Sequence, residues 1–119
     1  MRSLFAPLFL SAALVLASSP AFAHAVLTGS DPAEGGTVSA AGFPVELRFN
    51  GRMDAARSRL VLTLADGSTR KLAGKANGSS AITAQAEAVP PGRCALRYDV
   101  ASSDGHLTSG TITFTATEH

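Results

Sequence analysis

Asp104-Gly105-His106 is a short stretch whose side chains could bind one metal ion together. Residues i and i+2 of an extended segment point to the same side, so the Asp104 carboxylate and the His106 imidazole can face one ion. Gly105 between them permits a tight turn or a close approach. Such a triplet is most often a polar turn, so a metal site needs further donors.

His24 can supply those donors because of the sequence that precedes it. Arg2 gives a positive start, residues 4–16 are mostly apolar, and residues 21–23 form a small-x-small cleavage site. We therefore expect residues 1–23 to be a cleaved signal peptide and residues 24–119 to be the mature domain. Cleavage would give His24 a free α-amine, which can chelate a metal together with its own imidazole. An internal histidine cannot do this, since its backbone nitrogen lies in a planar amide.

The combined donor set consists of the two nitrogens of His24, the carboxylate of Asp104 and the imidazole of His106. A planar set of nitrogen and oxygen ligands suits Cu(II), which also leads the affinity series of the divalent metals. Ni(II) is the chemical competitor, whereas zinc prefers a tetrahedron. A free α-amine titrates at about 7.7–8.0, so a metal displaces its proton at modest cost. The residues predict one Cu(II) per chain.

The composition of the mature domain excludes several classes of partner. The full chain has 10 Lys+Arg and 9 Asp+Glu, and removal of Arg2 leaves nine of each. A neutral domain without a basic stripe is a poor nucleic-acid binder and is not drawn electrostatically to membranes. No later segment is long and apolar enough to be a membrane helix. Because the signal is bacterial in form, we expect the mature domain to be periplasmic. We also expect it to be a monomer that is not embedded in the membrane.

Alternation of apolar and polar residues predicts that the mature chain is all-β. The clearest candidate strands are residues 45–49, 60–64, 93–102 and 111–117. Weaker candidates are residues 25–28, 69–72 and 81–86. The best helical candidate, residues 53–59, is barely two turns long.

Turn signals separate these runs at short intervals, and Asp66-Gly67 between two of them predicts a hairpin. Many short strands in about 100 residues predict a single small Greek-key β-barrel or β-sandwich, Ig-like or cupredoxin-like. Cys94 is the single cysteine, so no internal disulfide is expected.

The order of several motifs resembles the CopC family of periplasmic copper-binding proteins over nearly the whole mature region. The motifs are His24-Ala25, residues 30–35 (SDPAEG), residues 45–50 (VELRFN), Pro91-Gly92, residues 98–100 (YDV), residues 102–106 (SSDGH), Gly110 and Phe114. The resemblance implies a Greek-key β-barrel or cupredoxin-like sandwich. It also implies a Cu(II) site formed by His24, Asp104 and His106.

The chain departs from this family pattern at several positions. Some members have a second, Cu(I) site in a methionine-rich loop, but Met53 is the one methionine after the signal, so we expect a Cu(II)-only protein. Gly51 stands where some members have an acidic residue, which removes a possible ligand. Cys94 stands at a commonly aromatic position, and its inward phase predicts a buried, inert thiol rather than a soft copper ligand. His119, the last residue, is expected to be a solvated tail.

These features predict a binding protein and not an enzyme. It would hold Cu(II) for buffering, for resistance, or for delivery to a CopD-like inner-membrane protein. The alternative is a histidine-brace copper oxidase or monooxygenase, because an amine and two imidazoles can form such a brace. Against it, Asp104 adds an anionic ligand that favours Cu(II), and the short chain has no tryptophan and one tyrosine to stack on sugars. An Ig-like interaction module without metal is a third hypothesis.

Overall fold

The computed structural model describes residues 25–118, which form an all-β domain as the alternation predicts. The strands are β1 Leu27–Asp31, β2 Thr37–Ser39, β3 Gly42–Phe49, β4 Met53–Thr63, β5 Thr69–Leu72, β6 Lys75–Ala76, β7 Ala81–Glu87, β8 Gly92–Ser102 and β9 Leu107–Thr117. No helix in this part of the chain is long and apolar enough to span a bilayer. The expected signal peptide, His24 and His119 lie outside the described residues.

The strands form two sheets that enclose one core. The four-stranded sheet has the order β1-β3-β7-β6, and the five-stranded sheet has the order β2-β9-β8-β4-β5. Neighbouring strands are antiparallel except β2 and β9, which are parallel. The expected barrel or sandwich is thus a two-sheet sandwich, and the hairpin predicted at Asp66-Gly67 joins β4 to β5.

The core lies between the sheets, and the two-residue period of each strand decides which side chains enter it. Cys94 is buried, with 1% of its surface exposed, as its phase in β8 predicts. Aromatic rings from the two sheets meet edge to face, with centroids 5.5 Å apart for Phe43 and Phe114 and 6.1 Å apart for Phe49 and Tyr98. This is a preferred geometry for aromatic pairs, so the rings contribute packing as well as buried area.

The helix considered for residues 53–59 is wrong, because this segment begins β4. It pairs with β8 at Met53 and Asp54, and again from Arg59 onward, with an irregularity between the two paired parts. Within the irregularity the Asp54 carboxylate accepts a hydrogen bond from Arg57 Nε at 2.8 Å. Contacts between residues three apart are typical of helices, but pairing with β8 on both sides keeps the segment in the sheet.

Three features of the sheets were not predicted from the pattern. β2 and β6 are edge strands of three and two residues, too short for an alternation to be recognised. β9 begins at Leu107 and not at residue 111, because its pairing with β8 continues through a stretch without alternation. This longer pairing carries β9 up to the turn that contains Asp104.

Candidate metal site

Asp104 and His106 lie in the tight turn that joins β8 to β9. Two backbone hydrogen bonds close the turn: Ser102 N donates to His106 O at 2.8 Å, and Gly105 N donates to Ser102 O at 2.9 Å. Gly105 has a φ of 96°, a conformation that favours glycine. The two candidate ligands are therefore brought together by a turn rather than by an extended segment.

The side chains of Asp104 and His106 are in direct contact. Asp104 Oδ1 lies 3.0 Å from His106 Nδ1 and accepts a hydrogen bond from His106 N at 3.2 Å. Both side chains face solvent, with exposed fractions of 59% for Asp104 and 55% for His106. The structure thus gathers an oxygen and a nitrogen donor at an accessible position.

Ser102 completes this cluster from the protein interior. Its hydroxyl donates to Asp104 Oδ1. This hydrogen bond is the largest cause of a lowered pKa at Asp104, and the bonds from the His106 ring and backbone N–H act in the same direction. Together they hold the pKa of the Asp104 carboxyl well below its usual value. Asp104 is therefore a carboxylate at neutral pH and can bind a cation without first losing a proton. Ser102 was not among the candidates named from the sequence, although its position two residues after inward-facing Val100 indicates a buried hydroxyl.

The first described residues are fixed beside the same turn. Thr108 Oγ1 donates to the carbonyl oxygen of Ala25 at 2.6 Å. Val26 N donates to Asn50 Oδ1 at 2.8 Å, and Asn50 N donates to Val26 O at 3.1 Å. Ala25 itself is buried. Because Thr108 is two residues beyond His106, these bonds attach the beginning of the domain close to the candidate ligands. Thr108 and Asn50 were also missed by the sequence analysis.

Asp104 and His106 supply two candidate metal donors. Within residues 25–118 there is no group of three or more His, Cys, Asp and Glu residues that could hold a metal ion. A tetragonal copper site takes about four ligands. The two donors fit Cu(II) in kind, and the further candidates of the sequence analysis, His24 and His119, lie outside the described residues.

The sulfur-containing side chains among residues 25–118 lie in the core. Cys94 is buried near the opposite end of β8, about 26 Å along the strand from Ser102. Burial raises the pKa of its thiol, which disfavours the reactive thiolate. Met53 is buried in the core. A Cβ added at Gly51 would lie 3.3 Å from Cβ of Ala25, so a larger side chain there would crowd the beginning of the domain.

The described residues thus form a two-sheet β-sandwich that carries an exposed Asp-His pair on one turn. The chain belongs to the CopC domain family, whose family model matches residues 27–117. The matched range extends from the first residue of β1 to the last residue of β9, so the whole sandwich takes part in the match.

Solved structures agree with this assignment. CopC from Methylosinus trichosporium OB3b is 27% identical, with a TM-score of 0.71, over 78% of this chain and 93% of that chain. PcoC, a methionine-rich copper resistance protein from Escherichia coli, is 24% identical, with a TM-score of 0.62, over 80% of this chain and 100% of that chain. The second likeness supports the fold alone. A comparison with curated proteins gives no match.

Proposed function

We propose that this protein binds one Cu(II) ion through the α-amine and imidazole of a processed N-terminal His24, the Asp104 carboxylate and the His106 imidazole. The observation that carries the proposal is the contact of Asp104 with His106 on a turn next to Ala25. Membership of the CopC family supports copper as the metal.

The spacing of the two described donors is already suitable for one ion. Two ligands at right angles, each about 2.0–2.1 Å from a metal, lie about 2.9 Å apart. Asp104 Oδ1 and His106 Nδ1 are 3.0 Å apart. A metal bound by both atoms would keep this spacing, but it would replace the proton shared between them and require the His106 ring to turn its Nδ1 lone pair towards the ion.

Chain connectivity supports His24 as the source of the missing donors. His24 directly precedes Ala25 in the sequence. The carbonyl oxygen of Ala25 accepts a hydrogen bond from Thr108, which lies in β9 two residues after His106. Cleavage after residue 23 would turn the backbone nitrogen of His24 into an amine at this location, adding two nitrogen donors from one residue.

The nature of the donors supports Cu(II) as the bound oxidation state. Nitrogen and carboxylate ligands suit Cu(II), whereas Cu(I) prefers thiolate and thioether sulfur. The sulfur-containing side chains among residues 25–118, Cys94 and Met53, are both buried in the core. Cys94 lies near the far end of β8, and Met53, although it pairs with Ser102, is buried in the core.

We further infer that residues 1–23 direct export and are removed, so that the mature domain, residues 24–119, acts in the periplasm as a monomer. There it would buffer Cu(II), contribute to copper resistance and pass the ion to a CopD-like inner-membrane protein. The exposure of Asp104 and His106 supports such a transfer, because a ligand of the acceptor can approach the metal while it is still bound.

The test is a Cu(II) titration of protein that begins at His24, followed by EPR spectroscopy. We expect one tight equivalent with hyperfine splitting from nitrogen ligands. The matched control carries one extra alanine before His24, which keeps every side chain but converts the α-amine into an amide. Affinity should fall by more than about 100-fold, beyond the loss typical of outer-shell changes. Equal affinity of the two proteins would contradict the proposed site.

A second measurement separates copper binding from the other functions considered. The copper-loaded protein is supplied with ascorbate and oxygen, and glycans are examined for oxidation. Sustained turnover would assign a histidine-brace oxidase in place of a carrier. Metal analysis of protein purified from the periplasm addresses the third hypothesis, because a metal-free interaction module would carry no copper.

A further inference from the structure

Ser102 occupies an unusual environment for a polar residue. It ends β8 and is 7% exposed, and no other polar side chain within residues 25–118 is buried to this degree. A buried hydroxyl is costly unless it is hydrogen-bonded. Ser102 Oγ has two acceptors at hand, Asp104 Oδ1 and the carbonyl oxygen of His106, the latter at 3.2 Å. Since a hydroxyl has a single proton, the closer carboxylate oxygen receives it.

The same residue also closes the backbone of the turn. Its N–H donates to the carbonyl of His106 and its carbonyl accepts from Gly105. Ser102 therefore forms hydrogen bonds with Asp104, Gly105 and His106. The side chains of Asp104 and His106 are themselves more than half exposed. An exposed carboxylate beside a glycine has many available conformations, and the hydroxyl from the interior restricts them.

We propose that Ser102 is a positioning residue that fixes the Asp104 carboxylate for metal binding, so that little ordering remains to be done when the ion arrives. The inference rests on the proposed function, because it concerns the same metal site. It assigns a role to a residue that binds no metal itself. Outer-shell partners of this kind typically change metal affinity by about 10–100-fold when they are removed.

Ser68 provides a matched control within the same chain. Its hydroxyl donates to Asp66 Oδ1 at 2.6 Å in the turn between β4 and β5. Ser68→Ala thus removes an equivalent serine–aspartate bond far from Asp104. The comparison separates a local effect on the metal site from a general effect of removing one such bond.

The experiment measures Cu(II) affinity and the EPR spectrum of Ser102→Ala, Ser102→Thr and Ser68→Ala in protein that begins at His24. Ser102→Ala should lose about 10–100-fold in affinity and have altered copper hyperfine parameters. Ser102→Thr, which keeps the hydroxyl, should recover most of the affinity, and Ser68→Ala should bind as the parent does. In metal-free Ser102→Ala, ¹⁵N relaxation should give lower order parameters for the amides of Gly105 and His106.

Several outcomes would overturn the inference. Parental affinity and spectrum in Ser102→Ala would do so, and so would an equal loss in Ser68→Ala. A folded Ser102→Thr variant whose metal-free turn is as ordered as in the parent, but whose affinity is not recovered, would also overturn it. Failure of the proposed function looks different, because the parent itself would then bind no Cu(II) or would be insensitive to His106→Ala. The order parameters of the metal-free protein test the role of Ser102 in that case too.

Discussion

Two turns of this domain have the same local chemistry and lie at opposite ends of the sandwich. The Asp66 turn joins β4 to β5, and the Asp104 turn joins β8 to β9. The glycine after the aspartate has a φ of 89° in the first and 96° in the second. In each turn the aspartate Oδ1 accepts a hydrogen bond from the backbone N–H two residues ahead, at 3.0 Å from Ser68 and 3.2 Å from His106.

The turns differ in what is placed around the shared carboxylate. In the Asp66 turn, the remaining hydrogen bond comes from Ser68 within the turn itself. In the Asp104 turn, an imidazole stands at that position, a buried hydroxyl reaches in from Ser102, and Ala25 is bonded nearby. The comparison indicates that Asp-Gly organises a carboxylate in either place. The proposed metal site uses, in addition, the His106 imidazole and His24, the residue before Ala25.

The largest expected effect comes from replacing the imidazole. His106→Ala should lower Cu(II) affinity by more than about 100-fold, because it removes a ligand and not an outer-shell partner. The affinity is measured by competition with a chelator of known strength.

The converse change, Ser68→His, gives the Asp66 turn the same three residue types as the Asp104 turn. If that variant gained a second tight copper site, nearness to the N-terminus would not be required and the comparison would be broken.

A smaller loss should follow from neutralising the carboxylate. Asp104→Asn keeps the size of the side chain but substitutes a weaker, uncharged ligand, so Cu(II) affinity should fall by about 10–100-fold, the range of partial disruptions of a metal site. Asp66→Asn should leave the affinity unchanged. Isothermal titration of both variants checks this difference, and similar losses in the two would imply that copper binding responds to overall stability.

The attachment of the first residues should have a more modest effect. Thr108→Val removes the hydroxyl that binds the Ala25 carbonyl, at nearly constant volume, and should lower copper affinity about 10-fold, as other outer-shell losses do. Thr108→Ser keeps the hydroxyl and serves as the control. NMR signals of Ala25 and Val26 should shift in the valine variant alone. Full affinity in that variant would mean that Asn50 is sufficient to hold this segment.

The smallest effect concerns acid stability at the Asp66 turn. The Ser68 hydroxyl bond lowers the pKa of the Asp66 carboxyl from its ordinary value. A carboxyl with a lowered pKa in the folded state stabilises the fold above its unfolded pKa of about 4, and this contribution is lost as the pH falls through the folded value. Asp66→Asn lacks this contribution. As the pH is lowered below about 4, the Tm of this variant should therefore decline slightly less than the Tm of the parent protein. If the Tm values of the metal-free parent and of metal-free Asp66→Asn changed with pH in parallel, the lowered pKa of Asp66 would be contradicted.

Local periodicity explains what the sequence predicted correctly. Alternation along β8 predicted that Cys94 is buried, and Asp66-Gly67 predicted the β4–β5 hairpin. The triplet Asp104-Gly105-His106 also predicted neighbouring donors, but on an extended segment, whereas a turn brings the two side chains into contact. These features depend on neighbouring residues, so their signals are complete within a short window. His24 as a ligand stays a prediction, since it lies outside the described residues.

Contacts between distant parts of the chain decided the rest. The Ala25–Thr108 hydrogen bond joins residues 83 positions apart, and Glu34 accepts a hydrogen bond from Thr113 N at 2.9 Å across a separation of 79. Residues 53–59 form part of β4 because β8 pairs with both ends of this segment. No local propensity specifies such partners, because they follow from which strands pair and in what register. The sequence by itself determined a β domain with two candidate ligands on one turn. Tertiary structure decided that the beginning of the domain lies beside them, because the β8–β9 pairing carries Thr108 to that position.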